Sequence, residues 1–117
     1  MPRSTVAYLA DILDACAAVE DVLDDVDLQT YVRTRSVRSS VEREFITIGE
    51  AVSVLGRTDS ESFRRISPAR LIIGLRNVLT HDYPAVDDET VCGVARSDLP
   101  VLRGECAALL EALGDAR

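Results

Sequence analysis

Lysine and tryptophan are absent from the sequence, histidine occurs once, and only three Tyr and two Phe supply aromatic area. With only six Gly and abundant Ala, Leu and Val, this composition points to helices packed on helices, an all-α bundle. No apolar run approaches the roughly 20 residues that span a bilayer. The N-terminal segment MPRSTVAYLAD carries Asp11 where a signal peptide would continue its apolar core, so the expectation is a cytoplasmic protein with no membrane partner. Cys16, Cys92 and Cys106 are odd in number and far apart, without the paired spacing of zinc ligands. They read as small buried apolar side chains, and no metal or other cofactor is expected.

At 117 residues the chain is long enough for one core and too short for two, so residues 1–117 should form a single domain. The formal charge of −7 argues at first against a nucleic-acid partner, since phosphate binding is driven by basic surface. Its distribution changes that. Residues 1–30 hold seven acids and one Arg, residues 81–117 hold eight acids and three Arg, and residues 31–80 hold nine Arg against five acids. An Arg-rich segment by itself reads as a solvated helix face, so the meaning of this one depends on the motif it contains.

Ser4 or Thr5 can cap a first helix whose apolar positions Val6, Leu9, Leu13, Cys16 and Leu23 follow helical spacing. The acids Glu20, Asp21, Asp24, Asp25 and Asp27 oppose the dipole at its far end, which predicts a break near Asp25 to Asp27. After a connector, DLQTYVRTR, the positions Val37, Val41, Phe45, Ile48, Val52 and Leu55 mark a long amphipathic helix closed by Gly56. Arg38, Glu42 and Arg43 are expected to point away from that stripe. Gly49 inside it costs roughly 1 kcal/mol relative to Ala, which a close helix crossing would explain. Residues Arg57 to Ile66 read as a polar loop anchored by Phe63 and Ile66. Val86, Asp87 and Glu89 then look like a staple, an N-cap and an acidic first turn. The last helix runs through Val91, Leu102, Cys106 and Leu109 to Gly114, with a kink or restart near Asp98 imposed by Pro100. Four main helices joined by short connections predict an antiparallel, up-down four-helix bundle with a kinked last helix.

The chemistry concentrates in Ser67 to Pro84, SPARLIIGLRNVLTHDYP, which holds the one histidine, His81. Ser67 suits an N-cap and Pro68 the first helical position, while Pro84 pushes Tyr83 out of the helix. Leu71, Ile72, Leu75, Val78 and Leu79 fall on one side and Arg76, Asn77, Thr80 and His81 on the other. A plainer reading exists for each residue. His81 would simply favour the helix dipole, Arg76 would pair with an acid such as Glu50, and Tyr83 would be an amphipathic residue at the core edge.

RNVLTHDY, from Arg76 to Tyr83, resembles the signature of the HepT-like toxins of the HEPN superfamily: Arg, four residues, His, one residue, Tyr. VEREFITIGEA (Val41 to Ala51), ISPARLIIGLRN (Ile66 to Asn77) and DLP (Asp98 to Pro100) are similar to segments of that family in matching order. Where the family often has an aromatic residue before the Arg that follows the helix-opening Pro, this chain has Ala69 and Arg70. The resemblance implies a homodimeric four-helix bundle acting as a metal-independent endoribonuclease. It also implies a nucleotidyltransferase antitoxin of the MNT type, which silences the toxin by transferring adenylyl groups to the motif tyrosine. The catalytic positions it implies are Arg76 and His81, with Asn77 supporting and Tyr83 the modification site.

Cleaving RNA without a metal needs a base for the ribose 2′-hydroxyl, an acid for the leaving oxygen and a cation for the charge on phosphorus. Histidine serves as base or acid near neutral pH, and arginine's planar fork suits phosphate oxygens. One chain carries one imidazole, and Arg76 and His81 lie about 140° apart on an ideal helix. A two-fold dimer with this helix near its axis would bring two of each into one cleft. The alternative in a different class is a non-catalytic accessory or substrate-binding partner of a minimal nucleotidyltransferase, suggested by the overall acidity. A nucleotide-binding bundle without a toxic role is a third.

Overall fold

The computed structural model describes residues 3–115. Six α-helices follow in order, α1 (Thr5–Leu23), α2 (Leu28–Arg33), α3 (Arg35–Thr58), α4 (Ser60–Arg64), α5 (Ala69–His81) and α6 (Asp88–Asp115), with a 3-10 turn, Tyr83–Ala85, between the last two. The described residues contain no strand. The all-α bundle expected from composition is the observed architecture, and α1, α3, α5 and α6 are its four main helices.

Local chemistry sets the boundaries. The Ser4 hydroxyl accepts the Ala7 N–H at the start of α1. At the other end the chain turns through Asp25, whose φ of 60° is left-handed, a conformation that Asp tolerates better than most residues. There the Arg96 guanidinium donates to the carbonyls of Leu23 and Val26, so a cation offsets the acids crowded at this helix end. The presumed connector after α1 is itself helical. Asp27 accepts the Thr30 N–H and starts α2, which carries Tyr31 fully into the core. The expected loop after α3 likewise contains a helix, α4, capped by Asp59.

Leu9, Ile12, Cys16 and Val19 of α1 meet Phe45, Ile48, Val52 and Leu55 of α3 and Leu99, Leu102 and Cys106 of α6 in one buried cluster. Each such aliphatic or aromatic side chain stabilises by roughly 1.5–3 kcal/mol relative to exposure. α1 packs against both α3 and α6, whereas α5 leans chiefly on α3.

Several expectations need correction. Ser67 does not cap α5. Its backbone N–H and hydroxyl both donate to Glu105 on α6, and Pro68 occupies the cap position. The apolar side of α5 is not wholly packed: Ala69, Ile72 and Leu79 are buried, Leu75 and Val78 are half-buried, and Leu71 stays 47 % exposed. The cause is that α6 runs apart from α5, leaving a groove of about 490 Å³ between them. α3 does not stop at Gly56 but continues to Thr58. α6 passes through Pro100 without a restart, so Asp98 caps nothing. The fully buried Leu99 and Leu102 hold that stretch in place. Lastly, Glu42 does not point away from the core stripe; it is 7 % exposed.

Candidate active site

Residues seven apart on a helix fall nearly in line, drifting only about 20°, and Glu42, Gly49 and Gly56 form such a line along α3. Each meets a different partner. Gly56 faces the Phe63 ring of α4, Gly49 faces Arg76 of α5, and Glu42 faces Tyr83 after α5. A Cβ on Gly49 would stand 2.3 Å from the Arg76 Cβ and 2.7 Å from its Cγ. The missing side chain is therefore what lets α3 and α5 cross at this point.

That crossing determines the setting of Arg76. Its side chain is only 26 % exposed. One terminal nitrogen donates to the Asn77 Oδ1 at 3.0 Å, and the other lies 3.5 Å from the Glu50 carboxylate. Nε is buried without a partner. The ion pair with Glu50 that the plainer sequence reading anticipated does exist, but Glu50 is more than half exposed, and such pairs contribute little. Asn77 supports Arg76 directly by accepting from its guanidinium.

His81 is the last residue of α5 and is exposed. Its ring takes part in no hydrogen bond or ion pair with another described residue. Asp82 closes the helix by donating its N–H to the Val78 carbonyl, and Pro84 sits in the turn that follows. As the proline implies, Tyr83 lies off the helix, with 55 % of its surface exposed. Its hydroxyl, however, is engaged and donates to the Glu42 Oε1 at 2.9 Å. That bond to a carboxylate, together with some desolvation, raises the Tyr83 phenol above its ordinary pKa. The other oxygen, Glu42 Oε2, is buried without a partner among the described residues, as is the Tyr31 hydroxyl. Burial is the main cause pushing the Tyr31 phenol up, with the Glu42 charge adding to it.

The groove between α5 and α6 is lined mainly by Leu71, Leu75, Val78, Val86, Val91 and Val94 and does not include Arg76, Asn77 or His81. Among the described residues no group of three or more His, Cys, Asp or Glu side chains is placed to share a cation, and no helix is long and apolar enough to cross a membrane.

A family model described as ribonuclease HepT-like matches residues 12–109, a span that contains Glu42, Gly49, Arg76, His81 and Tyr83. The chain belongs to the HepT-like ribonuclease family. Among curated proteins, this HepT-like chain is 29 % identical over 103 residues to a Methanocaldococcus jannaschii protein provisionally named as an RNase, covering 88 % of this chain and 94 % of that one. A second M. jannaschii protein, also provisionally named as an RNase, is 28 % identical over 114 residues, or 97 % of both chains. A Thermococcus cleftensis protein provisionally named ribonuclease HepT is 27 % identical over 108 residues, covering 90 % and 94 %. No solved structure matches the chain. Family membership makes RNA cleavage its reaction class.

Sequence reasoning placed Arg76, Asn77, His81 and Tyr83 but missed Glu42, which looked like part of a solvated face. The seven-residue recurrence of Glu42, Gly49 and Gly56 was the available signal, since it puts Glu42 on the same line as a glycine already suspected of a close crossing.

Proposed function

We propose that this HepT-like ribonuclease is the toxin of a toxin-antitoxin pair, cleaving RNA internally and without a metal ion through Arg76 and His81 at a homodimer interface. In the same reading, an MNT-type nucleotidyltransferase antitoxin silences it in the cytoplasm by transferring adenylyl groups to Tyr83. The observation that carries the reading is a contrast on one helix. Arg76 is set close against α3 at Gly49 and donates to Asn77, while His81, five residues on, stands exposed. A guanidinium held in advance is suited to a phosphate, and an exposed imidazole is suited to proton exchange with a substrate.

In this mechanism His81 takes the proton of a ribose 2′-hydroxyl, and that oxygen attacks the adjacent phosphorus. The bond from phosphorus to the 5′-oxygen breaks, leaving a 2′,3′-cyclic phosphate, and the departing oxygen takes a proton from a second histidine in its imidazolium form. Arg76 neutralises the charge that builds on the phosphoryl oxygens. Positioned acid-base groups contribute roughly 10²–10⁴-fold each. Because one chain supplies one imidazole, the second comes from a two-fold mate. An adenylyl group on Tyr83 would add bulk and negative charge two residues from His81 and compete with RNA phosphate.

The test is cleavage of total cellular RNA by purified, unmodified, antitoxin-free protein, with the expected loss of activity in His81→Ala. A folded dimer that cleaves no cellular RNA would overturn the toxin reading. Growth arrest that persists in His81→Ala would favour the non-catalytic accessory role instead. Co-expression with the antitoxin should raise the intact mass by adenylyl units, and Tyr83→Phe should abolish the increase.

A further inference from the structure

α3 grips the motif at both ends with carboxylates eight residues apart, Glu50 at Arg76 and Glu42 at Tyr83. The two grips differ in kind. Glu50 is open to solvent, whereas Glu42 is 7 % exposed and has one oxygen buried without any partner. A carboxylate in that setting loses its hydration and recovers only part of it. A methionine or leucine of similar size would carry no such penalty. Glu42 is therefore a poor choice for stability, and among the described residues its one hydrogen-bond partner is the motif tyrosine.

The segment Glu42 holds has little else to hold it. The Ala85 and Val86 N–H groups bond back to the Asp82 and Tyr83 carbonyls, so the turn is closed on itself, and no residue of Tyr83–Ala85 is buried. α5 ends immediately before it and rests chiefly on α3. The phenol is thus the anchor tying the turn to α3, two residues beyond His81.

We propose that Glu42 is a positioning residue for RNA cleavage: by accepting the Tyr83 hydroxyl it fixes the C-terminal end of α5 and with it the direction of the His81 imidazole. This rests on His81 acting in cleavage, as proposed above. The same bond gives modification of Tyr83 a second mode of action. Any group on that oxygen replaces the O–H that Glu42 accepts, so the turn is released and His81 is misaligned as well as obstructed.

The test compares Glu42→Met, Glu42→Gln, Tyr83→Phe and the Glu42→Met/Tyr83→Phe double variant. Misplacement of a catalytic group by an ångström can cost orders of magnitude, so kcat should fall roughly tenfold or more in Glu42→Met and Tyr83→Phe, with KM changed less than about twofold. Glu42→Gln keeps an acceptor oxygen and should retain most of the rate. The double variant should lose no more than either single one, because both remove the same bond. His81 is the only histidine, so its imidazole C–H signals can be read by NMR without assignment. They should shift alike in Glu42→Met and Tyr83→Phe and stay near wild type in Glu42→Gln. Unmoved His81 signals, or a loss in Glu42→Met with none in Tyr83→Phe, would overturn the proposal. If the wild type cleaves no RNA, the ribonuclease reading fails on its own account, and the NMR comparison still decides the tether.

Discussion

Gly49 and Arg76 approach so closely that a Cβ on the glycine would lie 2.3 Å from the Cβ of the arginine. Helix propensity favours Ala at position 49 by about 1 kcal/mol, but the overlap is with an atom fixed to the α5 backbone, and overpacking of this kind costs about 1–3 kcal/mol. Gly49→Ala is therefore expected to lower the urea midpoint and to reduce RNA cleavage by displacing Arg76. Arg76→Gly on that background removes the colliding atom and should restore the midpoint without restoring activity.

A site shared across a dimer makes a prediction about mixtures. His81→Ala should lose roughly 10²–10⁴-fold in rate and Arg76→Ala roughly 10²–10³-fold. After subunit exchange between wild type and His81→Ala, a mixed dimer holds a single imidazole and lacks either the base or the acid, so activity should fall roughly as the square of the wild-type fraction. Activity that falls only in proportion to the wild-type fraction would mean that each chain cleaves on its own.

Thiol chemistry should be silent in the folded protein. Cys16 and Cys106 are fully buried, and desolvation pushes both thiols up to about 12. With so little thiolate at pH 8, neither should react with a disulfide reagent while the chain stays folded. All three cysteines should titrate once it is unfolded in urea. Rapid native labelling of Cys16 or Cys106 would contradict the burial of the α1–α6 contact.

Asp59 should shape the acid side of the stability profile. The Ser62 backbone N–H, with the Thr5 and Ser62 hydroxyls, holds its carboxyl below the usual range. A group that binds protons more weakly when folded contributes its full stability above the unfolded value, about 3.9, and loses it as pH falls through the folded value. Asp59→Asn, which still caps α4, should flatten the decline below about pH 4. Asp59→Ala should cost about 1 kcal/mol at neutral pH. Urea midpoints measured across pH would check both.

The main helices were legible because their apolar residues recur at helical spacing, as in Phe45, Ile48, Val52 and Leu55, which are all fully buried. Ser4 and the break at Asp25 were legible from local chemistry alone. Local rules failed where a distant partner competed. Ser67 has a good capping side chain, yet Glu105, 38 residues away, accepts both of its donors. The short helices α2 and α4 span too few residues to display a period. Pro100 was expected to interrupt α6, but the packing of Leu99 and Leu102 outweighs one lost backbone bond.

The site divides along the same boundary. Arg76, Asn77, His81 and Tyr83 could be singled out because their identities and spacing form a pattern in sequence. Their orientation could not, since it depends on Gly49 and Glu42, residues from a different helix that are chemically unremarkable in isolation. Tyr83 is the clearest instance: the proline announced its exposure, and nothing local announced that its hydroxyl would be held by a buried carboxylate.

α5 rests chiefly on α3 and stands apart from α6 across an open groove. The helix that carries Arg76 and His81 thus rests on the fold chiefly through α3, while α1, α3 and α6 enclose most of the apolar mass. Substitutions on the face of α3 that meets α5 therefore bear most directly on where Arg76 and Tyr83 sit. A lineage built this way can diverge widely in its core and still keep, retune or discard its activity through a handful of residues on one face of α3.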